Sequence, residues 1–328
     1  MAEPDDEMRI AAFGDINIDV VLDVENLPIR GGEVFATRRR ELLGGSAANT
    51  AVVLARLGFE SAVMGAVGDD DAGHRALYSL GTAGVSTDLV SVSELHPTAM
   101  NTVMVTPDGE RTMVSARGAN VYYTAPSGWD EGVDWLHVSG YSLMAGPQQR
   151  SALDVITAAG ESSIPRSLDV PVEVGTHIRS LLADVIDDFR MVSGSQLALA
   201  ELTDSADPVE ALAGGPAMVA ATSGAGPLLL MVGEERISLN PPTVDSVDVT
   251  GAGDAFAAGL IAAGLSDLDP GPTAVLAAAI GAAATLGPGA SGTLADGKVW
   301  VDLLDDDRWS DADLSWLAAV RSWVEAAR

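Results

Sequence analysis

Asp248-Val249-Thr250-Gly251-Ala252-Gly253-Asp254-Ala255-Phe256 is the stretch whose reading decides the rest of the chain. It follows the short strand-like run Val244 to Val247 and opens an alanine-rich segment whose composition predicts a helix over 255–263. Gly251, Ala252 and Gly253 put small residues where the chain turns into that helix, so consecutive N–H groups can approach an anion without side-chain obstruction. Asp254 falls in the first helical turn, where the helix dipole favours its charged form and keeps it able to accept a proton. A carboxylate beside an anion hole suits transfer of a phosphoryl group to a hydroxyl: the acid takes the alcohol proton while the N–H groups stabilise charge on the moving group. Taken alone, Gly-Ala-Gly-Asp would be a tight turn and a helix cap, so the remainder of the chain has to decide.

Two N-terminal stretches bear on the choice. Gly44-Gly45-Ser46-Ala47-Ala48-Asn49 precedes a segment predicted helical to Leu57 and Gly58. Its paired glycines let a ligand lie against the backbone, and Asn49 can both donate and accept hydrogen bonds, as a polyol demands. Gly14-Asp15-Ile16-Asn17-Ile18-Asp19 ends the first strand-like run. In extended geometry Asp15, Asn17 and Asp19 share one face and can meet several hydroxyls together. The ordinary alternatives are a strand-to-helix turn for the first stretch and a solubilising loop for the second.

Together these stretches resemble the pfkB (ribokinase-like) carbohydrate kinase family. Residues 248–256 match its C-terminal signature and 44–58 its N-terminal one. Gly65 to Gly73 and Arg117-Gly118-Ala119-Asn120 add to the likeness, which runs from about Ile10 to Gly292. The resemblance implies an α/β fold: one ribokinase-like three-layer αβα sandwich spanning residues 1–328, with a central mostly parallel sheet and a small β-sheet lid built from about 17–42 and 98–118. It implies an ATP-dependent kinase acting on a hydroxyl of a small sugar or sugar-derived substrate, with Asp254 as base and Gly251, Ala252 and Gly253 as anion hole. Asn17, Asp19, Gly44, Gly45 and Asn49 would hold the substrate. Ser195, Thr222, Gly224 and Gly226 fall at nucleotide-side positions, with magnesium accompanying ATP. Asp248, the carbonyl of Thr250 and Ser291 match a monovalent-cation site that takes potassium in such proteins. Lids of this kind often pair into homodimers. A nucleoside kinase is the alternative within the class, because 44–51 also resembles adenosine-kinase-like members.

Two departures motivate a third, minor reading, a sugar-binding sensor without turnover. Where the family has an Asn-x-x-Glu motif for magnesium, this chain has Ser195 and Ala198, leaving Asp248 or Glu201 as substitutes. The Thr-x-Gly-x-x-Gly nucleotide loop survives only as Thr222-Ser223-Gly224-Ala225-Gly226-Pro227.

Composition narrows the field further. The chain has 328 residues, 47% of them apolar, enough for a large core. A formal net charge of −29 argues against nucleic-acid partners. Lys298 is the only lysine, so a bound polyanion must rely on backbone N–H groups, a cation and a few arginines. Apolar runs are too short for a bilayer, no basic signal segment precedes an apolar one, and the expected location is cytoplasmic. Without cysteine there is no disulfide, thiol nucleophile or cysteine metal site.

Several patterns mislead. Gly287, Gly289 and Gly292 spell GxGxxG but follow a helix rather than a strand, and Gly292 to Lys298 approaches a P-loop with Val299 where Ser or Thr is needed. His74, His96, His137 and His177 lack ligand spacing. Arg38, Arg39 and Arg40 read as a solvated strand, with contact to an anionic substrate as the alternative. Periodicity predicts strands over 8–16, 62–66 and 135–138, and helices over 47–57, 73–80, 273–286 and 312–327. Antiparallel strands outside the main sheet are predicted over 33–40, 99–106 and 111–115. Met100, Met104 and Arg117 are the side chains expected to set specificity.

Overall fold

The computed structural model describes residues 8–171, 176–289 and 299–326. The strands are β1 (Arg9–Phe13), β2 (Asn17–Val24), β3 (Ala36–Gly44), β4 (Glu60–Met64), β5 (Ala66–Gly68), β6 (Val85–Ser86), β7 (Ser91–Ser93), β8 (Ala99–Val105), β9 (Arg111–Ala116), β10 (Trp135–Ser139), β11 (Arg166–Val170), β12 (Met191–Ser195), β13 (Met218–Ser223), β14 (Gly226–Val232) and β15 (Glu235–Leu239). The helices are α1 (Ser46–Arg56), α2 (Asp71–Thr82), α3 (Gly146–Glu161), α4 (Thr176–Val185), α5 (Gln196–Thr203), α6 (Pro208–Ala211), α7 (Ala252–Leu265), α8 (Pro270–Ala284) and α9 (Leu314–Ala326).

A nine-stranded sheet in the order β15-β14-β13-β12-β11-β10-β1-β4-β6 forms the middle layer. It is parallel from β6 to β13, and β14 and β15 join antiparallel at one edge. Alternation along β1 shows why both faces need helices: Ile10 packs with α7, α8 and α9, while Ala11 and Phe13 pack on the opposite side with α3 and α5 residues. The chain leaves β1 toward β4 on one flank and returns to β10 on the other. The order therefore reverses at β1/β10, the place where open α/β sheets leave a crevice beyond their carboxyl ends.

Residues 240–249 form no strand, contrary to the reading of Val244 to Val247. Pro241 and Pro242 have no N–H to donate, and the N–H groups of Val247 and Asp248 both turn to the Thr285 carbonyl at the end of α8. The helices that follow are packed unusually close. A Cβ on Gly259 of α7 would lie 2.7 Å from the Ala277 Cα of α8, so the glycine and the surrounding alanines let the two backbones nearly touch.

A separate four-stranded sheet has the order β3-β2-β8-β9. The hairpin pair β8/β9 and the pair β2/β3 are antiparallel as expected, but the central pair β2/β8 is parallel. Its β9 edge carries exposed Met113 and Val114.

Candidate active site

Gly251 adopts φ 75° and caps α7 in the left-handed conformation, which glycine takes without a Cβ penalty. The turn aims the first amides of the helix outward. Among the described residues the N–H groups of Gly251, Gly253 and Asp254 have no acceptor, whereas that of Ala252 reaches the Val249 carbonyl at 3.3 Å. Nothing lies within 4 Å of a Cβ placed on Gly253. Gly253 lines a cleft of ≈ 330 Å³ bounded also by Thr222, Gly224 and Gly226 of the β13/β14 turn and by apolar Val244, Val249 and Phe256. Ser195 does not line this cleft: its hydroxyl accepts from the Ala198 N–H at 3.0 Å and caps α5.

Asp254 points away from that cleft, toward α1. The Asn49 Nδ2 donates to its Oδ2 at 2.7 Å, and the Thr50 hydroxyl donates to its main-chain carbonyl at 3.4 Å. The helix dipole does not decide its ionisation. Burial pushes the carboxyl up from its ordinary range, and the Asn49 amide offsets only part of that rise. The two faces of the α7 N-terminus thus look different ways, the Gly253 amide into the cleft and the Asp254 carboxylate onto the Asn49 amide.

A cluster of buried polar side chains forms where β1 and β10 diverge. Asp15, Asn17 and Asp19 are all buried. Asp19 accepts from the Asn101 Nδ2 at 2.7 Å, and desolvation, with Asp254 and Asp248 nearby, raises its pKa to about 6 against the pull of Asn101. The glycines act mainly by letting backbone come close. A Cβ on Gly44 would lie 2.4 Å from the Asp19 carboxylate, and one on Gly45 (φ 98°) would lie 2.2 Å from the Asp15 carbonyl. Asn120 pins the loop from beneath: its Oδ1 accepts from the Ile16 N–H at 3.2 Å, and its Nδ2 donates to the Ile16 carbonyl at 3.1 Å and to the Asn17 Oδ1 at 3.0 Å. Asp15 is held by both nitrogens of the Arg117 fork, at 2.9 and 2.8 Å, and by Gln148 at 2.9 Å. Arg117, expected to face substrate, is therefore an internal clamp.

Asp248 accepts from the Thr250 N–H at 2.9 Å on one oxygen and from the Gly289 N–H at 3.1 Å on the other. Arg111 of β9 reaches the same carboxylate at 2.5 Å and also contacts the Thr250 hydroxyl. Burial alone would raise the Asp248 pKa; these hydrogen bonds and the guanidinium hold it below the usual carboxylate range. Ser291 lies outside the described residues. Glu201 is exposed on α5, so neither acid proposed to replace the Asn-x-x-Glu pair is free and inward-facing. Arg40 pairs with Asp23 at 2.6 Å, Arg39 with Glu41, and Arg38 is exposed.

Sequence reasoning missed Asp169, Asn101, Gln148 and Arg111. Asp169, one residue before the end of β11, accepts from the Ser193 hydroxyl at 3.0 Å and is raised to about 7 by desolvation and by Asp254. Its place at the carboxyl end of a buried strand was the available signal. Arg111 gave none, because its partner stands 139 residues away.

A family model described as pfkB family carbohydrate kinase matches residues 8–296. The ATP-dependent ribose-1-phosphate kinase of Halopiger xanaduensis is 31% identical over 277 residues, covering 80% of this chain and 86% of that protein. The crystal structure of a putative ribokinase II (apo form) from E. coli superposes with a TM-score of 0.80 at 20% identity, over 90% of this chain and 99% of that one. A fructokinase double mutant from Vibrio cholerae O395, with fructose, ADP and potassium ion bound, gives a TM-score of 0.73 at 24% identity, over 92% and 100%.

Proposed function

Because the chain belongs to the pfkB family of carbohydrate kinases, phosphotransferases with an alcohol group as acceptor, we propose that Asp254 deprotonates a hydroxyl of a small sugar held beside Asn17, Asp19 and Asn49. The carrying observation is the α7 N-terminus, which sets the unpaired Gly253 N–H in one cleft and turns the Asp254 carboxylate the other way, onto Asn49. ATP enters on the side of Thr222, Gly224 and Gly226, with its terminal phosphate at the amides of Gly251 and Gly253, where partial positive charge offsets the oxygens of the transferring group. Asp254 takes the proton as the acceptor oxygen attacks. Its raised pKa improves it as a base near neutrality, and Asn49 fixes its orientation.

Magnesium would come with ATP, but the two positions that the resemblance assigns to it do not fit. Ala198 offers no oxygen, and the Ser195 hydroxyl is engaged as a cap. The chain's own charge stabilisation rests on main-chain N–H groups.

The small sheet acts as a lid that excludes water when it meets the core, and its exposed β9 edge pairs two copies into a dimer. Light scattering at the mass of a single chain would remove the dimer. For the catalytic reading, ADP release is followed across ribose, fructose, sugar phosphates, adenosine and inosine. Asp254→Asn should lose about 100-fold or more in turnover while still binding its acceptor, and undiminished turnover refutes the assignment. Among the described residues no helix is long and apolar enough to cross a membrane.

A further inference from the structure

A kinase of this fold that uses a monovalent cation needs oxygen ligands beside its anion hole, and here the Asp248 carboxylate is already engaged. Both oxygens of Asp248 already accept main-chain N–H groups, from Thr250 at 2.9 Å and Gly289 at 3.1 Å. The Arg111 guanidinium adds a fixed positive charge 2.5 Å from the same carboxylate and touches the Thr250 hydroxyl. Arg111 and Asp248 are both largely shielded, with side-chain exposures of 21% and 13%, so solvent screens the pair less than a surface one. The planar guanidinium fork donates to the carboxylate and to the hydroxyl together.

Resting on the kinase reading above, we propose that Arg111 is a built-in replacement for the monovalent cation, carried to the loop 248–251 by the lid rather than drawn from solution. Asp248 and Thr250 flank the turn that places the Gly251 and Gly253 amides, so the charge on Arg111 sets the shape of the anion hole. Because β9 is an edge strand of the small sheet, that setting is complete only when the sheet rests on the core. Arg111 thereby ties readiness of the phosphate site to closure over the acceptor. It positions the loop and touches no reacting atom.

The test compares wild type with Arg111→Ala, Arg111→Lys and Arg111→Gln while potassium chloride is exchanged for tetramethylammonium chloride at constant ionic strength. Wild-type turnover should stay within about twofold across the exchange. Arg111→Ala should fall about tenfold or more in tetramethylammonium, with a raised KM for ATP, and recover most of the loss in potassium. Arg111→Lys should remain indifferent to the exchange, because it keeps the charge. Arg111→Gln, which keeps the stem, takes the place of the alanine variant if that one does not fold. Wild type activated several-fold by potassium, or a neutral variant as indifferent to the exchange as wild type, overturns the proposal. Melting temperatures without substrate give a readout free of catalysis: potassium should raise Tm in the neutral variants and not in wild type. If no acceptor yields ADP, the kinase reading fails, and the melting comparison alone still decides whether Arg111 stands where a cation would bind.

Discussion

Asp19→Asn should make the protein more stable at pH 8 and worse at binding its acceptor. The Asp19 carboxyl is raised from 3.8 to about 6, first by burial and then by the charges of Asp254 and Asp248. At about 1.4 kcal/mol per pKa unit, holding it ionised costs the fold about 3 kcal/mol. The fold prefers the protonated form, so this cost is absent below the unfolded value of 3.8 and is fully present above about 6. Asparagine has the same shape, fits the space that Gly44 leaves, and still accepts from Asn101. With an unfolding entropy of about 0.7 kcal/mol/K for a chain of this length, Tm should rise by about 4 °C at pH 8. The advantage should shrink between pH 6 and 4 and vanish below. Acceptor KM should meanwhile rise about tenfold, as expected for loss of a charge-assisted hydrogen bond. Calorimetry from pH 3.5 to 8.5 with parallel KM measurements reads both effects. A variant that is less stable at every pH, or a Tm difference independent of pH, refutes the argument.

Arg117→Ala strips the fork from buried Asp15 and should destabilise by about 3 kcal/mol, seen as a lower urea midpoint at unchanged m. Two glycine substitutions should behave oppositely. Gly45→Ala collides with the Asp15 carbonyl at positive φ and should cost more than about 1 kcal/mol in thermal unfolding, whereas Gly253→Ala meets nothing within 4 Å and should leave Tm unchanged while raising the KM for ATP. His137 is buried, with its pKa lowered to about 4 by desolvation and its Nε2 unpaired. The unfolded chain takes up that proton below about 6.5, so stability should fall as pH drops from 6.5 toward 4. His137→Gln should flatten that slope in denaturant titrations across the window.

The sandwich was legible because its strands are short buried runs and its helices carry glycines and alanines at packing contacts such as Gly259 against Ala277. The left-handed turn at Gly251 leading into a helix that carries Asp254 was legible because that turn needs a glycine at a fixed local spacing. What local spacing does not encode stayed hidden. Arg117 reads as a specificity side chain and Arg111 only as part of a strand, but each meets a carboxylate more than 100 residues away. Val244 to Val247 has strand composition, yet two prolines and a helix end claim its neighbourhood. Ionisation also misled: the dipole argument for Asp254 considered the helix alone, and burial by α1 outweighs it.

The hydrogen bond between Asn49 and Asp254 joins residues separated by 205 positions. A nascent chain can therefore form its N-terminal loops early, but it cannot make this contact until most of its length has left the ribosome.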